Sequence, residues 1–229
     1  MSDQTASSSQ GGQTGGEPPI KILIIPVTPF QQNCSLVWDP KTGRGAVIDP
    51  GGDVETIAQA IQENSVQVEK IVLTHGHIDH VGGAADLAEK LGVRVEGPHK
   101  DDRPLIERVA DQARQFGLAD VRPVEPDLWL SDGDTIEFAG RTFDVLHCPG
   151  HAPGHIVFFD RELRIAFSGD VLFAGSVGRT DLPGGNHETL IASIRDKLLP
   201  LGDDVSFVPG HGPASTFGHE RATNPFLTS

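Results

Sequence analysis

Between Thr74 and Gly83 the chain reads "THGHIDHVGG", and His75, His77, Asp79 and His80 fall within six residues. Imidazole nitrogen and carboxylate oxygen are the donors that zinc and similar ions take. In extended backbone, alternate residues project to the same side. His75 and His77 can therefore converge from one side of a strand-end loop. Asp79 and His80 follow where the chain turns into a helix, and could serve a second ion. The competing reading is a set of surface or capping histidines, but the chain has ten His in all, and three later stretches add to the cluster. "HCPGHAPGH" carries His147, His151 and His155 among glycines that let backbone come close to a ligand. "FSGDVLF" leaves Asp170 at the end of an apolar run, a costly place for an unpaired carboxylate. "FVPGHGP" leaves His211 at another strand end, again beside Gly.

The elements that must position these residues follow from periodicity. "IKILIIPV", "CSLVWD" and "GAVIDP" read as strands, and "DVETIAQAIQEN" as an amphipathic helix with Val54, Ile57, Ala58 and Ile61 at helical spacing. "VEKIVLT" is expected to be a strand buried on both faces that delivers His75 at its C-terminal end. "AADLAEKLG" is a helix with a glycine stop, and "VRVEG" a strand. Residues 101–116 are expected to be helical, with Pro104 tolerated in the first turn. "DTIEFAGRTFDVLHCPG" is a hairpin turning at Ala139-Gly140, and "HIVFFD" pairs with "LRIAFSGD". Asn186 is a candidate cap for a helix bearing Leu190, Ile191, Ile194 and Leu198 on one face. "DVSFVPG" is a last strand, and a short polar helix is expected after Thr216. Each candidate ligand thus follows an apolar strand, so one rim of the sheets would carry them all. Strands in clusters with helices between them, and no Gly-rich phosphate loop after the first strand, fit two inner sheets with helices outside.

Composition narrows the partners. The chain has 229 residues, of which 37% are hydrophobic, with 27 Gly and 17 Pro; this suits a loop-rich globular protein with a real core, and the interleaved strands and helices make it α/β. Its formal charge is −14, with no cluster of basic residues, so nucleic acid is a poor partner. No segment reaches the ~20 apolar residues of a membrane span. Two cysteines, Cys34 and Cys148, are too few for a disulfide-stapled scaffold and point to a reducing compartment. Residues 1–19 are Ser/Gly/Gln-rich, lack the basic and apolar regions of a signal peptide, and are expected to be a disordered tail before one domain spanning 20–229. A cytoplasmic location is expected.

From about Ile20 to its end the sequence resembles the metallo-β-lactamase superfamily. The HxHxDH motif is matched by His75, His77, Asp79 and His80, followed in order by a PGH histidine (His151), a GD aspartate (Asp170) and a late PGH histidine (His211). The resemblance implies a four-layer αββα sandwich. It implies one metal ion on His75, His77 and His151, a second on Asp79, His80 and His211, and Asp170 between them. Two divalent ions are implied, zinc first, although the same ligands suit iron or manganese. Such a pair lowers the pKa of bound water from 15.7 to near 7, and the resulting hydroxide can attack an ester, thioester or amide carbonyl. Asp79 or Asp170 could accept the proton. "VIDPGG" looks like the early Asp-Gly motif and makes Asp49 a candidate partner for a metal-bound histidine; its alternative role is a turn-former. His155 is a second such candidate, with a plain strand-start histidine as the alternative.

Within the superfamily, "SGDVLFAGSVGRTDLPGG" and "PGHGPASTFGHERATNPF" are similar to the short type II glyoxalases, or hydroxyacylglutathione hydrolases. The resemblance implies hydrolysis of a thioester such as S-D-lactoylglutathione to a hydroxy acid and free thiol. Only 18 residues follow His211 and the chain has no Tyr, so the helical domain and the tyrosines that grip glutathione in longer members have no counterpart. Arg179 in "VGRTD" is the candidate for a substrate carboxylate, with an ion pair to Asp181 as its other reading. Phe173 is a candidate pocket wall or core residue. His99, His187 and His219 read as surface or capping residues, and Cys148 as a small buried apolar one. The rivals are a persulfide dioxygenase with one iron on His75, His151 and Asp170, a lactonase or esterase of the same fold, and a metal-binding module without catalysis.

Overall fold

The structure is a computed structural model describing residues 18–118 and 121–228. Most of the expected N-terminal tail, residues 1–17, lies outside the described residues. One sheet is built in sequence order from β1 (Lys21–Val27), β2 (Gln32–Trp38), β3 (Arg44–Ile48), β4 (Gln67–Val72) and β5 (Arg94–Glu96). β1, β2 and β3 pair antiparallel, whereas β3, β4 and β5 run parallel. The parallel connections are made by α1 (Val54–Glu63) and by α2 (Ile78–Val81) with α3 (Ala84–Leu91). Two further helices, α4 (Arg103–Glu107) and α5 (Val109–Phe116), follow β5.

The second sheet contains β6 (Thr135–Phe138), β7 (Arg141–His147), β8 (Ile156–Asp160) and β9 (Ile165–Gly169) as an antiparallel meander. A small hairpin, β10 (Leu172–Phe173) and β11 (Ser176–Val177), then leads to α6 (His187–Ser193). The chain returns as β12 (Ser206–Pro209), parallel to β9, and ends the sheet with β13 (Ser215–Thr216) before α7 (Phe217–Thr223).

Side-chain alternation explains why these elements stack in four layers. In β3, Ala46 and Ile48 face one way and Val47 the other; in β8, Ile156 and Phe158 oppose Val157 and Phe159. Ala46, Ile48, Val72, Ile136, Phe143, Phe158 and Phe167 form one apolar layer between the two sheets. The other face of the first sheet packs Val47, Ile71 and Leu36 against Ile57, Leu87 and Val109 of the helices. The outer face of the second sheet packs Val157, Ala166 and Phe207 against Leu190, Ile194 and Phe217. Both sheets are apolar on both faces because each is covered twice. This is the αββα sandwich. No helix among the described residues is long and apolar enough to cross a membrane.

Local signals explain several element ends. Asn186 caps α6 by accepting the Thr189 N–H at 2.9 Å, and Thr216 caps α7 by accepting that of His219. Ala139 and Gly140 turn the β6–β7 hairpin with φ of 53° and 67°, as a type I′ turn requires. Two expectations change. The helix over residues 101–116 is broken at Arg108, whose φ of −99° and ψ of 8° separate α4 from α5. Only the C-terminal part of β4 is buried, because Val68, Glu69 and Lys70 lie under half-open surface before Ile71 and Val72 enter the core.

One ion pair in the second sheet has a buried carboxylate. Asp160, at the end of β8, accepts from Arg141 Nε and Nη2 at 2.7 and 2.9 Å and from the amides of Glu162 and Leu163. Burial opposes its charge, but these donors outweigh it and hold the carboxyl below the ordinary aspartate range. Because the folded pKa lies below the unfolded one, this contribution is complete above about pH 4 and is withdrawn as the pH falls through the folded value. Asp160→Ala is expected to lose about 3 kcal/mol of stability at pH 7 in urea unfolding. Asp160→Asn should flatten the stability loss of the native protein below pH 4.

Candidate metal centre

The C-terminal ends of β3, β4, β9 and β12 meet at one rim of the sandwich, and each releases a polar side chain there. Asp49 follows β3 and His75 follows β4; α2 carries Asp79 and His80; Asp170 follows β9 and His211 follows β12. His151 comes from the loop between β7 and β8. A single helical turn in α2 is what lets Asp79 and His80 point back at the loop that holds His75 and His77. Gly210 precedes His211 because a Cβ there would meet Asp170 Oδ1 at 2.1 Å and His80 Cε1 at 2.6 Å.

Two donor groups result. His75 Nε2 lies 3.1 Å from His77 Nδ1, which lies 2.9 Å from His151 Nε2. Next to them, His211 Nε2 lies 3.1 Å from Asp79 Oδ2, and His80 Nε2 lies 3.8 Å from the same oxygen. Asp170 stands between the groups: Oδ2 is 3.6 Å from both His151 Nε2 and His211 Nε2, and Oδ1 is 3.3 Å from His80 Nε2. His75/His77/His151 and Asp79/His80/His211 each bring one donor atom per residue within 4.8 Å of the others.

The hydrogen bonds behind these donors orient their lone pairs. His151 Nδ1 donates to the Arg179 carbonyl at 2.8 Å, which leaves Nε2 unprotonated and facing the centre. His80 Nδ1 donates to Asp49 Oδ2 at 2.8 Å, which turns Nε2 toward the centre. His75 Nδ1 donates to Thr74 Oγ1, which donates in turn to Asp49 Oδ2 at 2.6 Å. Asp49 also accepts the Thr74 amide at 2.7 Å, so one carboxylate orients a histidine of each group. Its φ of 51° puts Asp49 in the left-handed region as well, so the turn and the bonding role coexist. His155 stacks on His75 at 4.5 Å and accepts the Asp170 amide at Nε2, 2.9 Å away.

Electrostatics follow burial and charge together. Burial first, then neighbouring imidazoles, depress His75 well below the ordinary histidine value, and the same causes take His77 to about 3. Burial also depresses His151 and His155. For His80 burial is outweighed by the Asp170, Asp79 and Asp49 carboxylates, which raise it strongly. Burial likewise opposes charge on Asp170, but His80 and the neighbouring histidines hold that carboxyl well down.

The donor set fits divalent metal ions. Buried His80 Nε2 and Asp170 Oδ1 have no hydrogen-bond partner although they face each other's group, a cost that a shared cation removes. Imidazoles with a carboxylate between two clusters are donors that zinc, iron and manganese all accept.

The centre forms the floor of a cleft of about 770 Å³. Its walls are mainly apolar, with Phe30, Leu105 and Phe116 on one side and Phe173, Val177 and Leu182 on the other. Phe173 meets the His211 ring edge-on at 6.2 Å. Arg179 lines the cleft, and its guanidinium is held by Asp181 through bonds of 2.7 and 2.6 Å. His147 does not converge: its Nε2 donates to the Pro153 carbonyl and its ring stacks on His99. Cys148 is buried, with its thiol pushed up to about 12 by desolvation, and belongs to neither group.

Several contributors carry no sequence signal of their own. Thr74 relays between His75 and Asp49. Asn33 Nδ2 donates to the carbonyls of Pro209 and Gly212, bracketing His211. Buried Glu220 and Asn224 of the C-terminal segment fasten the hairpin that carries Phe173, through Gly175 N, Phe173 O and Ser176 O. Arg108, exposed where α4 breaks into α5, lines the cleft with no acidic partner among the described residues.

A profile of the metallo-beta-lactamase superfamily matches residues 27–211. Hydroxyacylglutathione hydrolase GloC of Haemophilus influenzae is 49% identical over 211 residues, 92% of this chain and 99% of its own. Among solved structures, the BLEG-1 B3 metallo-beta-lactamase matches with a TM-score of 0.84 at 35% identity, over 92% of this chain and all of its own. The protein TTHA1623, in a di-iron-bound form, matches with a TM-score of 0.80 at 42% identity, over 90% of this chain and all of its own. With the αββα sandwich and the rim of histidines and aspartates, these matches make the chain a member of the metallo-β-lactamase superfamily.

Proposed function

We propose that the protein is a two-metal thioester hydrolase acting on an acidic hydroxyacyl thioester of the S-D-lactoylglutathione type. The observation that carries this reading is the pair of donor groups with Asp170 between them on the floor of an apolar-walled cleft. His75, His77 and His151 would hold one ion, and Asp79, His80 and His211 the other. A divalent pair, when bound, supplies an activated water near neutral pH and polarises a carbonyl. Asp79 lies mostly buried at the cleft floor and is held by His211, where it can take up a proton from the attacking water; Asp170 is the alternative acceptor. The apolar walls exclude bulk water from the reacting carbonyl and accept the acyl chain. Similarity to the Haemophilus hydroxyacylglutathione hydrolase over nearly the whole of both chains supports the thioester.

The cleft mouth offers two cations for the acidic half of such a substrate. Arg179 must share its fork with Asp181, whereas Arg108 has no competing carboxylate among the described residues. Arg108 is therefore the anchor that costs less to recruit. The likeness to the BLEG-1 lactamase favours a second carbonyl class, the cyclic amide, as the comparison substrate.

Hydrolysis of S-D-lactoylglutathione by the purified protein, with metal analysis of the same preparation, tests the reading; fast turnover of a cyclic amide or lactone with an inert thioester would replace it. Chelation should abolish turnover and re-addition of zinc, iron or manganese restore it. Asp170→Ala is expected to lose at least 10³-fold in kcat and to retain less than half of the bound metal. Normal metal content and activity in that variant would exclude the paired site. Arg108→Ala should raise KM about fivefold to tenfold with kcat kept, a charge-assisted bond discounted for exposure, and Arg179→Ala by less.

A further inference from the structure

The loop holding His75 and His77 and the loop holding His151 and His155 come from different sheets, yet their imidazole nitrogens approach to 2.9 Å. A backbone bond from Ile156 N–H to the Thr74 carbonyl joins the strand ends behind them. Beyond those ends, a third segment reaches in. Asp102, in the single turn (residues 100–102) before α4, has no exposed surface, and its carboxylate does not cap its own helix. Instead Oδ2 accepts the Gly76 N–H at 2.7 Å and Oδ1 accepts the Gly154 N–H at 2.5 Å. Gly76 lies between His75 and His77, and Gly154 between His151 and His155.

We propose that Asp102 is a positioning residue that sets the spacing of the two histidine loops and so the geometry of the first metal group; this rests on the metal reading given above. The residue type is demanded by the bonding. Two N–H donors arrive at opposite oxygens, and a carboxylate accepts both, whereas an amide would turn its own NH₂ toward one of them. The neighbours are shaped for it as well. A Cβ on Gly154 would lie 2.5 Å from Asp102 N and 2.8 Å from its Cγ, and a Cβ on Gly76 would lie 3.1 Å from Asp102 Cβ. Keeping a carboxylate here is costly, because burial without a cation pushes its pKa up to about 7 despite both amides.

The test is zinc affinity by competition with a chromophoric chelator, together with the visible spectrum of the cobalt-substituted protein. Asp102→Asn is expected to bind zinc 10- to 100-fold more weakly and to change the cobalt spectrum. Ile61→Ala, a buried change on α1 outside both loops, should lower the melting temperature and leave both readouts unchanged. Asp102→Asn with native zinc affinity and cobalt spectrum would overturn the proposal. So would Ile61→Ala losing zinc affinity in step with its melting temperature. Should Asp102→Asn fail to fold, the amide protons of Gly76 and Gly154 in the native protein decide. Downfield, exchange-protected resonances support the clamp, and ordinary rapidly exchanging ones exclude it. Native protein that takes up no zinc would overturn the metal reading itself, and the clamp then stands or falls on those two amides.

Discussion

The face-to-face packing of the two sheets is the constraint on which everything at the rim depends. Phe138 and Phe143 stack at 4.0 Å within the layer that Phe158 and Phe167 complete, and the first sheet closes it with Ala46, Ile48 and Val72. Burying side chains of this size supplies about 1.5–3 kcal/mol each, non-directionally. Direction comes from the rim. There the Asn33 amide donates to the Gly210 carbonyl at 2.7 Å and the Ile156 amide to the Thr74 carbonyl at 2.8 Å, so strands of opposite sheets are tied where the ligands emerge. The apolar layer brings the sheets together, and these bonds set how their ends align.

That arrangement makes a polar cluster affordable inside a protein. Six imidazoles and several carboxylates share a space whose walls leave His75, His80 and His155 without exposed surface. Each would be costly alone. Asp49 lowers the cost by fixing the proton on His80 directly and on His75 through Thr74. His155 does the same for the Asp170 backbone. Behind His75, His80 and His151 stands a hydrogen bond at Nδ1 that turns Nε2 toward the centre, the property needed if lone pairs are to point at one place.

The cleft above the centre is made by the parts of the fold that belong to neither sheet. α4 and α5 raise one wall, and the β10–β11 hairpin raises the other, held by Glu220 of α7 and by Asn224 just after it. The similarity of "PGHGPASTFGHERATNPF" to the short glyoxalases thus has a physical content here. The stretch supplies His211 at one end and the fastening of the opposite wall at the other. Arg108, at the break between α4 and α5, lines the cleft with Leu105, Gln112 and Gln115, so both helices turn one face to it.

How much of this was legible follows from the range of each interaction. Contacts between near neighbours in sequence could be read directly: the Asn186 cap, the helix after Thr216, the Ala139-Gly140 turn, β3 and β8 as strands, and the crowding of His75, His77, Asp79 and His80. His151, Asp170 and His211 were legible too, because a polar ligand type beside glycine after an apolar strand is costly unless it has a purpose. The roles of Thr74, Asn33, Asp102 and Arg108 were not, since each rests on a partner or an absence of partners defined across 25 to 179 residues of chain. Residue types and their local spacing determined which atoms could bind a metal and which strands would carry them. Only the stacking of one sheet on the other decided which lone pairs face one another, because hydrogen bonds that orient a donor are made in space and leave no period in the sequence.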